Sequence, residues 1–529
     1  MRVVSFEEAV SFVHDHDTLM IGGSGGGHAI PEALIVALGK RFEQESAPRQ
    51  ITLFHPVGIG DNVSQGVGHL AHRGMVKRIV TAALVNSPAF QQLAEENKVE
   101  AYTLPQGALS QLVREMAAGR PGLLTQTGLH TFIDPRQHGG RQSQCAVEPL
   151  VELVELAGKQ WIFYKPYHVD VAFLRGTTAD EDGNVTMEHE AVFGEMLSMA
   201  QATHNQGGVV IVQVARLAQR NTLPAKQVKI PGMLVDLVVV DPEQRQTYQM
   251  QYSPAYSGEV RIPLTSITPL PFDPRKIIAR RAALELFPQA ICNLGSGVST
   301  GIATIAAEED ILDQIVLTNE QGLIGGAPSS DAGAAINYTS IVDQPYQFDF
   351  YDGGGLDLAF LSFAQVDVDG SVNVSRFNGR IIGVGGFVNI SQYAKKIIFS
   401  GTFTAGKLDI TWPGGQTLIR QEGKFKKFVS PLEEISYSGP FARERGQEAL
   451  YVTERAVFKR GEQGLELIEI APGVDLQHDI LDQMEFKPLI SPDLKHMDAR
   501  IFNEGPMDLK ADIAAKKQDN LPLRLRKDG

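Results

Sequence analysis

Short apolar runs separated by glycine-rich turns set the rhythm of this chain. Thr18-Leu19-Met20-Ile21 leads into Gly22 to Gly27, and Pro31 to Leu38 then reads as a helix. Ile291-Cys292-Asn293-Leu294 leads into Gly295-Ser296-Gly297, followed by a helical segment from Ile302 to Glu308. Strands this short and this apolar are buried on both faces. Their alternation with helices predicts α/β units around a largely parallel sheet. Asp182-Gly183 and Asp369-Gly370 have hairpin-turn composition, so some antiparallel edges are expected. Ser5 to Glu8 reads as a capping box, and Asp273-Pro274 as a cap followed by proline at the first helical position.

The pattern occurs twice. Asp170 and Asp357, Gly183 and Gly370, and Val209 and Lys396 stand in matching sequence 187 residues apart. Gly23-Ser24-Gly25 matches Gly295-Ser296-Gly297 at an offset of 272, and Ile51 to Gly58 matches Ile315 to Gly322 at 264. The matched segments keep their order, so the chain reads as two similar open α/β domains from one duplication. The drop from 264 to 187 places 77 extra residues in the first half, at about 61–169. Pro254, Pro263, Pro269, Pro271 and Pro274 suggest an extended connector. The expected organisation is a domain at 1–253, a linker at 254–274 and a domain at 275–529.

With 529 residues, the chain exceeds one ordinary core. Its net charge of −14 and scattered basic clusters argue against nucleic-acid binding. Those clusters (Arg275-Lys276 with Arg280-Arg281, Lys395-Lys396, and Lys424 with Lys426-Lys427) read as solvated surface. No apolar window is long enough to span a membrane. The acidic N-terminal stretch does not read as a signal peptide. Two cysteines, Cys145 and Cys292, cannot build a disulfide framework; they read as buried small hydrophobes in a cytoplasmic protein. The histidines form no recognisable triad, and neither a Gly-x-Ser-x-Gly elbow nor a His-Glu-x-x-His motif occurs.

Three loops carry candidate chemistry. Gly22 to Gly27 either cradles a ligand with backbone N–H groups or packs a helix onto the sheet. Gly383-Val384-Gly385-Gly386-Phe387 either donates N–H groups to an oxyanion or makes a bend. Thr318-Asn319-Glu320-Gln321-Gly322 puts a carboxylate at the C-terminal end of a strand, where open α/β sheets bind ligands. The counterpart of Glu320 in the first half is Pro56, so the halves differ in chemistry at this point.

Asn319-Glu320-Gln321-Gly322 resembles the Ser-Glu-Asn-Gly signature of family I CoA-transferases, whose glutamate forms a thioester with CoA. Gly22-Gly23-Ser24 with Pro31-Glu32 resembles the family's Gly-Gly-Phe and Gly-x-Pro signature. Ser24, Asn319 and Gln321 depart from the pattern, as does a proline displaced by one residue. Together with Pro105-Gln106-Gly107, Gly128 to Arg136, Gln347 to Asp357, Gly385-Gly386-Phe387 and Thr453 to Phe458, the likeness is to the single-chain acetate/propionate branch.

The resemblance implies reversible transfer of CoA from a short-chain acyl-CoA to a free carboxylic acid, ping-pong through a glutamyl-CoA thioester. It implies Glu320 as nucleophile, Gly386 and Gln106 as polar groups at the reacting carbonyl, and Gly383, Gly385, Gly386 and Phe387 as the CoA loop. It also implies a homo-oligomer, typically a tetramer, in which CoA is substrate and no metal or redox cofactor is used. The alternatives are an acyl-CoA hydrolase on the same scaffold and a non-catalytic ligand-binding regulator.

Overall fold

A computed structural model of the protein describes residues 1–263, 268–329, 331 and 333–516. Its first sheet runs in the order Arg2–Val3, Leu237–Val240, Val209–Val214, Val171–Arg175, Thr18–Ile21, Ile51–His55, Val76–Thr81, Glu100–Thr103. Every neighbouring pair is parallel. Leu19, Met20, Ile21 and all of Val171–Arg175 are buried, so both faces of the central strands are covered.

The second sheet has a parallel centre: Val316–Thr318, Ile291–Leu294, Leu358–Ser362, Lys396–Ser400 and Glu448–Val452. Antiparallel strands flank it on both sides, Leu323–Ile324 with Ser340–Ile341 and Ala456–Gly461 with Gly464–Ile470. Leu489–His496 closes the far edge in parallel.

The two sheets repeat one another strand for strand. Val209–Val214, Val171–Arg175, Thr18–Ile21 and Ile51–His55 lie side by side in the same order as Lys396–Ser400, Leu358–Ser362, Ile291–Leu294 and Val316–Thr318. The repeat extends to side chains. Asp170 accepts the Thr18 N–H at 2.7 Å, and Asp357 accepts the Ile291 N–H at 2.9 Å. Asp180 accepts from Asp182 and Asn184 N–H, as Asp367 does from Asp369 and Ser371. Both Asp-Gly pairs turn antiparallel hairpins, but in small sheets of their own rather than at the edges of the main sheets.

The extra residues of the first half add Val76–Thr81 and Glu100–Thr103 to the first sheet. They continue into the helix Gln106–Ala117 and a three-stranded antiparallel sheet, Leu123–Thr125, Lys159–Tyr164 and Val151–Leu156. Ala108, Leu109 and Leu112 of that helix share one apolar core with Phe348, Tyr351, Val388 and Ile390 of the second half. The insert therefore helps to join the halves, which also meet at Lys229–Asp343 and Gln344–Glu195.

Several local expectations change. Ser5 caps the helix Phe6–Val10 by accepting from Glu8 N–H, but the Glu8 carboxylate turns to Arg2, 3.4 Å away. Asp273 caps Pro274–Ala283 as expected. Of the basic groups of that helix, Arg275 is exposed as expected, but the other three are not solvated surface: Arg280 is 1% exposed and donates to the carbonyls of Ile501 and Gly505. Arg281 lies between Glu285 and Glu469, each at 2.7 Å, and Lys276 pairs with Glu308. The segment around Ala499–Phe502 covers the helix, and covered charges need partners. Lys427 is half-buried, its ammonium 4.1 Å from the Phe363 ring centre, and desolvation lowers it to about 8. Cys145 is part-exposed and only Cys292 is buried. The segment from Pro254 is a turn rather than extended chain; Tyr256 and Ile262 bond to Tyr338 and Asn337. Residues 264–267 of the expected linker lie outside the described residues.

Candidate active site

The repeated loops at the C-terminal ends of both sheets face one cleft of about 790 Å³. Gly25, Gly26, Val57 and Gly58 line it from the first half, and Gly295, Ser296 and Glu320 from the second. Pro56 and Glu320 thus occupy matching ends of matching strands, with only the second half bringing a carboxylate. Gln106, Gly383, Gly385, Gly386 and Phe387 line the same cleft, so every residue singled out for the site is brought together.

The Glu320 loop is built by its neighbours in sequence. Asn319 accepts the Gln321 N–H at 2.7 Å and donates to the Gly333 carbonyl at 3.1 Å. This is the Asx-turn geometry open to Asn, which explains how Asn319 can stand where the resembling signature has Ser. Gly322 has φ +103°, and a Cβ there would lie 1.9 Å from the Val342 carbonyl oxygen. Only glycine fits.

Glu320 is half-buried. Burial raises its carboxyl above the ordinary carboxylate range, against hydrogen bonds from its own backbone N–H and from Asn293, which lower it. Asn293 is the residue that sequence reasoning missed. It donates to Tyr351 Oη at 3.2 Å; Tyr351 donates to Thr318 Oγ1 at 2.9 Å, and Thr318 to the Cys292 carbonyl at 2.9 Å. The available signal was a lone amide in the apolar run Ile291–Leu294.

The Gly383–Phe387 loop is pinned to the first half. Val384 and Gly385 N–H donate to the Ala82 carbonyl at 2.8 and 3.0 Å, and Gln106 N–H donates to the Gly385 carbonyl at 2.9 Å. A Cβ on Gly386 would stand 3.6 Å from Glu320 Cγ, and one on Gly385 would stand 3.7 Å from Gln106 Oε1. The loop therefore runs between Gln106 and the carboxylate. Gly386 precedes the helix Phe387–Tyr393, and its N–H makes no hydrogen bond among the described residues. Gln106 is 3% exposed, and its Nε2 likewise has no partner among them. Two residues with an unpartnered donor thus line the same cleft as the carboxylate.

The electrostatics of the cleft are unusual for an anion site. Asp61, Asp331 and Glu320 line it, and its described lining contains no Lys or Arg. Burial would raise Asp61, but N–H groups of Gln65, Val63 and Ser64 bring it down to about 2. A second chamber of about 400 Å³, whose lining includes Leu294, Leu317, Leu323 and Ala335, also borders Glu320.

Two repeated α/β halves meet here at a cleft that holds a carboxylate together with residues bearing unpartnered N–H donors. The family model described as Coenzyme A transferase matches residues 3–241, and full-length relatives extend that match along the chain. The chain belongs to the coenzyme A transferase family, with both halves in one polypeptide, and is an enzyme of that class. It is 46% identical over 508 residues to acetate CoA-transferase YdiF of Escherichia coli (strain K12), covering 96% of each chain. It is 43% identical to the caffeate CoA-transferase of Acetobacterium woodii, covering 95% of this chain and 98% of that one. The crystal structure of YdiF apoenzyme from Escherichia coli O157:H7 superposes with a TM-score of 0.92 over 96% of this chain and 97% of that one, at 46% identity. A thioester complex of that protein with CoA matches equally well.

Proposed function

We propose that this protein transfers CoA reversibly between a short-chain acyl-CoA and a free carboxylic acid of the acetate class, with Glu320 as covalent nucleophile. The observation that carries the reading is that the Glu320 carboxylate shares one cleft with Gly386, whose N–H is unpartnered, and with Gln106, whose Nε2 is unpartnered. The thioester that YdiF forms with CoA supports the covalent route.

Ionised Glu320 attacks the thioester carbonyl; the C–S bond breaks, leaving an acyl-glutamyl anhydride and CoA thiolate. The thiolate attacks the glutamyl carbonyl, releasing the first carboxylate and leaving glutamyl-CoA. The acceptor carboxylate attacks that carbonyl and expels thiolate, which then takes the acyl group and restores Glu320. Each addition places negative charge on a carbonyl oxygen, where the two donors act. Such a donor is worth roughly 3 kcal/mol. Water must be kept from the anhydride, which hydrolyses readily. The scheme calls for no metal or redox cofactor.

A cleft lined with carboxylates and lacking cations suits the uncharged pantetheine arm, so the CoA phosphates lie beyond it. No helix of the described residues is long and apolar enough to cross a membrane. A cytoplasmic homotetramer completes the reading, on family likeness.

The test is intact-mass analysis after incubation with acetyl-CoA, with borohydride trapping. A CoA adduct is expected on the peptide spanning Thr318 to Gly322, and none in Glu320→Ala. Acetate-dependent thioester loss separates transfer from hydrolysis. Transfer by wild type without any adduct would sink the covalent assignment.

A further inference from the structure

Gln106 and Gly386 come from different halves of the chain, 280 residues apart in sequence, yet both must point at the same carbonyl oxygen. Something must hold their helices in register. The Gln106–Ala117 helix starts at the first donor, and the Phe387–Tyr393 helix starts immediately after the second. One side chain bridges them. Asn389, fully buried, accepts the Gly107 N–H through Oδ1 at 3.0 Å.

Its amide is committed in the other direction. Asn389 Nδ2 donates to both carboxylate oxygens of Asp352, at 3.0 and 3.1 Å. Asp352 ends the third helix, Gln344–Asp352, and also accepts Gln111 Nε2 at 3.0 Å from the first. Gln111 and Arg114 reach Asp349 on the same helix. Three helices from both halves thus meet at one carboxylate and one amide. The fit at Gly107 is close: a Cβ there would lie 2.3 Å from Phe348 Cδ1 and 2.5 Å from Asn389 Nδ2. Phe348 also packs within 3.4 Å of a Cβ built on Gly386.

We propose that Asn389 and Asp352 are positioning residues that set the spacing of the Gln106 and Gly386 donors around Glu320. Neither residue lines the cleft, so neither touches substrate. The amide orientation matters, because Gly107 offers a donor and Asp352 an acceptor, and only an Asn or Gln presents both complements. The proposal rests on the reading of Gln106 and Gly386 as oxyanion donors.

Asn389→Ala removes both bonds. The expected result is a fall in kcat of about 10- to 100-fold, because misplacing a catalytic group by about 1 Å costs that much. KM for acetyl-CoA should stay within about threefold, since the cleft lining is untouched; a merely structural role would lower active-enzyme concentration instead. The exchange Asn389→Asp with Asp352→Asn reverses the polarity of the pair while keeping its charge. Asp at 389 still accepts from Gly107, and Asn at 352 donates to it. Each single change should be slow and the double variant should recover most of the rate.

A folded Asn389→Ala enzyme with unchanged kcat overturns the proposal. So does a folded double variant no faster than its slower parent; if Asn389→Ala does not fold, this second comparison decides. Gln106→Leu, measured alongside, separates the two readings. If Gln106→Leu is slow and Asn389→Ala is not, positioning fails alone. If Gln106→Leu keeps full kcat, the donor assignment fails and takes this proposal with it.

Discussion

Replacing Gln106 by Leu should slow the chemistry and leave the fold as stable as before, or more so. Gln106 is 3% exposed, and its Nε2 has no hydrogen-bond partner among the described residues. A buried, unpaired amide donor costs about 1–3 kcal/mol of stability, which Leu of similar size would relieve. The backbone N–H of residue 106 keeps its bond to the Gly385 carbonyl, so the helix start survives. In the proposed mechanism the same donor serves a developing oxyanion, and its loss is expected to lower kcat by about 10²–10³. Stability and activity therefore move in opposite directions, which a general packing defect cannot imitate.

The direct assay is rapid quench with acetyl-CoA followed by intact mass, reading glutamyl-CoA adduct formation before turnover. Urea unfolding of the same preparations gives the change in stability. Gln106→Glu is the companion, with similar shape but a charge that opposes the oxyanion, and should be slower still. Adduct formation by Gln106→Leu within about threefold of wild type would refute the oxyanion-donor role of Gln106, because losing a preorganised donor costs far more than that. A large loss of stability would show that Nε2 had a partner after all.

Three further outcomes follow from the same geometry. Gly322→Ala should shift the Glu320 loop, since the added Cβ would meet the Val342 carbonyl at 1.9 Å with φ at +103°; adduct formation should be abolished in a protein that still folds. Burial raises Glu320, so the acid limb of kcat/KM should fall above the ordinary carboxylate value, and Asn293→Leu, which removes a bond to the ionised form, should move that limb higher still. Burial also raises Glu195 to about 7, although Ser110 donates to it at 2.6 Å. The folded state then holds this proton more tightly than the unfolded one. The resulting stabilisation is complete below about pH 4, is lost as pH rises to about 7, and amounts to about 3 kcal/mol. Glu195→Gln keeps an acceptor for Ser110, so chemical denaturation should find it more stable than wild type at about pH 8 and similar at about pH 5; equal pH dependence in the two would contradict this.

Much of the architecture was legible because it is written in contiguous residues. Apolar runs, glycine turns and Asp caps recur at constant offsets. A repeat of the local pattern forces a repeat of the local fold, down to Asp170 and Asp357 holding equivalent backbone N–H groups. Glu320 was legible for the same reason: a strand end, a following glycine and a missing counterpart at Pro56 all lie within a few residues. The resemblance then attached Gln106 and the Gly383–Phe387 loop to it.

What only tertiary structure decided are meetings between distant faces. Asn389 and Asp352 sit in short helices whose local pattern does not distinguish a solvated amide from a buried bridge. Lys276, Arg280 and Arg281 read as surface until the segment near Ala499–Phe502 covers the helix and Glu285, Glu308 and Glu469 supply partners. Asn293 stands out by composition, but its link to Tyr351 and Glu320 depends on how three separated segments pack. A chain's periodicity determines which face of each element is apolar. Which faces meet, and so which polar groups share a cleft with Glu320, is set by the packing of the two halves against each other.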